Sequence, residues 1–152
     1  MFKFIISAIV ALTVMVVPAQ AQKLSPEQVR QGLAEMRTYK HAMLVKELDL
    51  EKDQEQKFFD VYDKMDDELM AIGVQMRKIE QDILSQSDPS DAECKSASRM
   101  LFEQKKKESE IELRYYDRLA EVLTPQQLVK LKSTERRITM NMAKYHGRKS
   151  KK

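Results

Sequence analysis

Eight apolar residues recur along one stretch of the chain at alternating steps of four and three: Phe58, Tyr62, Met65, Leu69, Ile72, Met76, Ile79 and Ile83. A strand would scatter that period over both of its faces, whereas a helix collects it on one. The seam persists for more than three heptads, so it predicts a helix from about Glu51 to Ser85, roughly 50 Å long at 1.5 Å per residue. A helix this long with one apolar stripe needs a second helix along it. Ser87-Asp88-Pro89-Ser90 is the strong turn in the middle of the chain. Beyond it, Ser90 and Glu93 form a capping box that opens a helix from about Asp91 to Val122. The inner stripe of this helix reads Cys94, Ala97, Leu101, Gln104, Glu108, Ile111, Tyr115 and Val122, with polar residues at two apolar positions. Two long helices joined by a tight turn form an antiparallel hairpin. Gly73 interrupts the first and marks a bend or a close helix crossing.

The flanking helices are announced by their caps. In Leu123-Thr124-Pro125-Gln126-Gln127, Thr124 is placed as N-cap, Pro125 at the first helical position and Gln127 at the reciprocal position of a capping box. Leu123 and Leu128 are spaced for a hydrophobic staple. Leu24-Ser25-Pro26-Glu27-Gln28 repeats the pattern, and Leu50-Glu51-Lys52-Asp53-Gln54 keeps Leu and Gln without a hydroxyl cap. The first helix therefore runs from Pro26 to about Glu47, and Asp49 is available to cap the second. The fourth starts at Pro125, places Leu128, Leu131, Ile138, Met142 and Tyr145 at helical spacing, and frays into a basic disordered tail over 147–152. Few glycines, and prolines at helix starts, fit an all-α chain of four helices.

The N-terminus sets the compartment. Lys3, the apolar run Phe4 to Val17 and Ala19-Gln20-Ala21 make residues 1–21 a secretory signal peptide. The run is short for a membrane anchor, which needs ~20 apolar residues, and Pro18 breaks it. The expected product is an exported protein with a single helical domain over 22–146 and no stable membrane insertion. With 34% of its residues charged, it has little apolar area for a private core, and a helical layer that completes its burial as a homodimer fits better than a compact globule. Cys94 is the only Cys, so it reads as a buried small apolar residue or as the site of an intermolecular disulfide.

The chemistry-bearing residues are sparse. There are two His, His41 and His146, and no Gly-rich phosphate loop; the paired acids Asp66-Asp67 fall on a helix face. No catalytic site, cofactor site or metal site is expected, although His41 near Glu47 could make a weak metal site and Asp63, Asp66 and Asp67 could attract cations loosely. From Lys132 onward the chain carries eight Lys or Arg against one acid, Glu135. In an exported protein that tail suits a solubilising role, an anionic membrane surface or an acidic partner rather than nucleic acid. Met is abundant, and unbranched, polarizable Met is over-used on adaptable binding surfaces. Met65 and Met76 lie on the seam and read as core; Met70 lies off it. Phe59, Met70, Phe102 and Tyr116 are the candidate contacts for unfolded client proteins.

An exported all-helical chain of this length whose last helix opens on Leu123-Thr124-Pro125-Gln126-Gln127 resembles the Spy/CpxP family of periplasmic proteins, which carry two such LTxxQ pentads. Leu50-Glu51-Lys52-Asp53-Gln54 stands where the first should be, with Glu51 in place of Thr. The resemblance covers essentially all of 22–146 and makes Leu50, Gln54, Leu123, Thr124 and Gln127 structural motif residues. It implies a cradle-shaped antiparallel homodimer acting as an ATP-independent periplasmic chaperone in envelope stress. Another branch of the family docks on and inhibits an envelope-stress sensor kinase through its periplasmic domain, and a third is linked to zinc. The His-rich character of the zinc branch is missing from this chain.

Overall fold

The structure, a computed structural model, describes residues 25–149, with side chains through Asn141. The signal peptide expected over 1–21 and the last residues of the expected disordered tail, 150–152, lie outside the described residues. Four helices follow one another: α1 (Pro26–Leu48), α2 (Lys52–Leu84), α3 (Asp91–Ala120) and α4 (Pro125–Lys149). The described residues contain no strand, so the fold is all-α.

Residues 25–35 form one compact unit and 36–149 belong to a second. In the first, Ser25 caps α1 as its sequence indicates. Its Oγ accepts from the Gln28 N–H at 3.2 Å, and Gln28 Oε1 accepts from the Ser25 N–H at 2.8 Å. Every residue of this unit is exposed, Val29 and Leu33 included.

In the second unit, α2 and α3 form the hairpin. Glu68 of α2 accepts hydrogen bonds from Arg114 and Tyr115 of α3, whereas Ile79 and Ile83 share a depression with Ala97 and Met100 nearer the turn. Positions rising along α2 thus meet positions falling along α3, which makes the pair antiparallel. The α2 seam faces inward throughout, but its burial fades along the helix. Phe58, Tyr62 and Met65 are buried; Leu69, Ile72, Met76, Ile79 and Ile83 are half-buried. The core gathers Leu44, Leu48 and Leu50 with those three, Ile111, Tyr115, Leu119 and Leu123 of the α3 end, and Leu131 and Ile138 of α4. It therefore sits at the open end of the hairpin, where α1 and α4 arrive. From Asp67 to Glu110 no residue is buried.

Four local expectations are corrected. Asp49 does not cap α2. It takes a left-handed conformation (φ 53°) just past α1, and the Leu50 N–H reaches back to the Val45 carbonyl at 3.1 Å, which closes a Schellman motif. Cys94 is exposed rather than buried, because at the distal end of the hairpin only α2 lies against α3 and small residues leave that side open. Gly73 marks no close crossing: a Cβ there would meet only the Arg77 guanidinium, at 3.9 Å. Helix α4 continues through Gly147 to Lys149, past the point where fraying was expected.

With ordinary contact distance at Gly73 and no positive φ there, Gly73→Ala should stabilise the protein by about 0.5–1 kcal/mol through lower unfolded-state entropy and higher helix propensity. Urea unfolding checks this; a loss of stability would mean that another chain packs against Gly73 in solution.

Candidate functional site

The two pentads come together. Gln127 Oε1 accepts from the Thr124 N–H at 2.9 Å, and Thr124 Oγ1 accepts from the Gln127 N–H at 3.2 Å, completing the capping box at the start of α4. At the start of α2, Gln54 Oε1 accepts from the Glu51 N–H at 3.3 Å, so the Gln half of the box survives the replacement of Thr by Glu. The two amides then reach across. Gln54 Nε2 donates to the Val122 carbonyl at 3.0 Å, and Gln127 Nε2 donates to the Leu48 carbonyl at 3.1 Å. They also exchange hydrogen bonds with each other at 3.3 and 3.4 Å. Both donor hydrogens and both acceptor positions of each amide are used, which is the full capacity of the group. Leu50 and Leu123 are buried beneath this junction, and Thr124 stays exposed.

Beside the junction lies a polar network that pattern reading did not find. Tyr62 of α2 is 1% exposed. Burial first, then the neighbouring charge of Glu135, pushes its phenol far above the usual tyrosine range, and its hydroxyl is hydrogen-bonded to Glu135 of α4. Burial also raises the Glu135 carboxyl, against the pull of Lys132. Burial lowers the Lys132 ammonium, but the carboxylates of Glu112 and Glu135 outweigh it and the net shift is upward. Further along the hairpin, the hydrogen bond from Tyr115, helped by Arg114, holds the Glu68 carboxyl below its ordinary value.

The acidic face of α2 is where α1 docks. Asp66 pairs with Lys40, Asp63 with His41 Nε2 at 2.7 Å, and Asp67 with Arg37. The expectation that these acids attract loose cations gives way to three specific partners on α1. His41 and Glu47 do not converge on a shared site: Glu47 pairs with Arg137 of α4. Among the described residues no group of three or more His, Cys, Asp or Glu could hold a metal ion.

The four client-contact candidates fall in different surroundings. Phe59 is half-buried, its ring stacked on His41 with centroids 3.9 Å apart, so it joins α1 to α2. Met70 is half-buried on α2. Phe102 and Tyr116 are 75% and 52% exposed on α3, and Leu113, which pattern reading passed over, is 71% exposed. Leu113 follows Phe102 by eleven residues and precedes Tyr116 by three, spacings that put all three on one side of a helix with 3.6 residues per turn. Phe102 also lines a shallow open depression with Cys94, Lys95, Ser98 and Arg99. This face can desolvate an apolar side chain and meet an acidic one; it holds no enclosed cleft.

No family model, curated protein or solved structure matches the chain.

Two consequences are measurable. Gln54→Ala and Gln127→Ala should each cost about 1–3 kcal/mol, since each strands a carbonyl and a partner amide. The double variant should cost less than their sum by at least about 0.5 kcal/mol; strict additivity in a double-mutant cycle would mean that the amides act independently. For Glu135, the folded pKa lies above the unfolded value near 4.3, so the folded state holds its proton longer. Its contribution is full below that value and declines as pH rises through the folded pKa. Glu135→Gln keeps an acceptor for Tyr62 and should flatten the fall in stability from pH 4 upward, measured by urea unfolding at a series of pH values; an unchanged slope would place the titration elsewhere.

Proposed function

We propose that the chain is an exported, cofactor-free holdase that binds unfolded polypeptides in the periplasm without ATP, the role implied by its resemblance to the Spy/CpxP family. The observation that carries this reading is the hairpin arm. From Asp67 to Glu110 it has no buried residue, and the outer side of α3 presents Phe102 and Leu113 to water beside Lys95, Arg99 and Lys106. Apolar patches at this spacing gain free energy when a client covers them, and nearby cations speed encounter with acidic segments. Many partial contacts keep each one weak, so release needs no nucleotide. A homodimer belongs to the same reading, because the half-buried distal seam is left to two helices alone.

The test is light scattering of an aggregating client protein with increasing amounts of the folded chain and no ATP. Suppression at near-stoichiometric ratios is expected. Phe102→Ser with Leu113→Ser and Tyr116→Ser should weaken suppression at least fivefold while leaving the melting temperature within a few degrees, because the three side chains are mostly in water. Undiminished suppression by the triple variant would move the client surface off α3. No suppression at all, with saturable binding to a sensor-kinase periplasmic domain, would favour the regulatory reading instead.

A further inference from the structure

Helix α4 divides its charge in an unusual way. It carries seven Lys or Arg and a single acid, Glu135. Glu135 does not serve the solvent face: it turns to Tyr62 and Lys132 at the junction. On the outer side stand Lys130 and Arg136, both exposed. No carboxylate among the described residues forms an ion pair with either. On α3, by comparison, Lys105 pairs with Glu108, Lys106 with Glu110 and Arg99 with Glu103.

Two apolar residues share the Arg136 side of the helix. Val129 is 74% exposed and Met140 is 51% exposed. They are eleven residues apart, about three helical turns, and Arg136 falls between them in register. The helical backbone runs on to Lys149. Lys130, next to Val129, stands about 100° round the helix from it, so this face carries an apolar stripe with one cation in it and another at its edge.

We infer that the outer face of α4 docks on an anionic phospholipid surface, with Lys130 and Arg136 on lipid phosphates and Val129 and Met140 in the headgroup layer. A planar array of negative charge matches a helix face whose exposed apolar stripe is accompanied by unpaired cations. Each Lys or Arg near such a surface contributes on the order of 1 kcal/mol, which is about fivefold in partitioning. Apolar side chains among the cations gain by leaving water for the headgroup boundary, while the long Lys and Arg stems keep their charges at the phosphates. None of the helices is long and apolar enough to cross a membrane among the described residues, so the contact is peripheral. This surface lies on α4 and not on the α3 face, so it does not rest on the holdase reading.

Co-sedimentation of the folded protein with phosphatidylcholine vesicles, with and without phosphatidylglycerol, tests the inference. Binding should require phosphatidylglycerol and disappear in high salt. Lys130→Gln with Arg136→Gln should reduce partitioning about twentyfold. Lys105→Gln with Lys106→Gln removes the same net charge from α3 and should leave partitioning within about twofold. Binding to phosphatidylcholine alone, no binding at low salt, or equal loss in the two double variants would each overturn the assignment. Circular dichroism confirms that both variants keep their helices.

Discussion

The Gln54–Gln127 pair is the fastener on which the rest of this fold depends. A helix leaves four backbone N–H groups open at its start and four carbonyls open at its end. Here each Gln answers both kinds of need. Its Oε1 accepts an N–H at the start of its own helix, and its Nε2 donates to a carbonyl at the end of another: Val122 after α3 for Gln54, Leu48 of α1 for Gln127. One pair of amides therefore binds four helix ends into a near-reciprocal knot. The two Leu of the pentads are buried under it, which keeps water from competing for the hydrogen bonds. Removing either side chain unties more than one contact, because each amide is a satisfied partner of the other.

That knot explains where the core lies. Apolar side chains from all four helices can meet only where the helices converge, and the buried residues cluster there. Away from the knot the hairpin has a single partner per helix and half-buried contacts only. The attachment of α1 is of a different kind. Lys40 and Asp66 have side chains only 18% and 12% exposed, whereas Arg37 and Asp67 are 38% and 59% exposed. The first pair is sheltered and hydrogen-bonded; the second is screened by water and contributes on the order of 0–1 kcal/mol. Local stability should then fall from the knot toward the turn, since sparse apolar contact and exposed hydrogen bonds are what let a segment open.

Much of this was legible in the residues. The heptad steps from Phe58 to Ile83 specified α2 and its inward face, and Ser90 with Glu93 and Thr124 with Gln127 located the starts of α3 and α4, because caps and periodicity are local rules. What escaped is what depends on a partner far along the chain. The capping box engages the Oε1 of each Gln but leaves its Nε2 donors over, and these were the clue that the amides must reach elsewhere. Asp49 was legible as a helix-end residue but on the wrong side: an Asp tolerates the left-handed conformation, so it ends α1 rather than starting α2. Cys94 sat on a correct stripe, yet a stripe gives direction and not depth, and no third helix covers it. Phe59 looked like a free aromatic until His41 was placed against it.

The same logic separates the molecule into a part that stores stability and a part that is free to bind. A chain with 34% charged residues can bury few side chains, and this one concentrates them at one end, where hydrogen-bonded amides and a buried Tyr–Glu contact specify the arrangement. The long arm is left with apolar residues in water and no surplus of packing to lose. Contact with another chain would cost the arm little, because almost nothing has to be displaced to uncover Phe102 or Leu113. A protein built this way keeps its fold independent of what its arm touches, since the knot and the exposed face share no side chain.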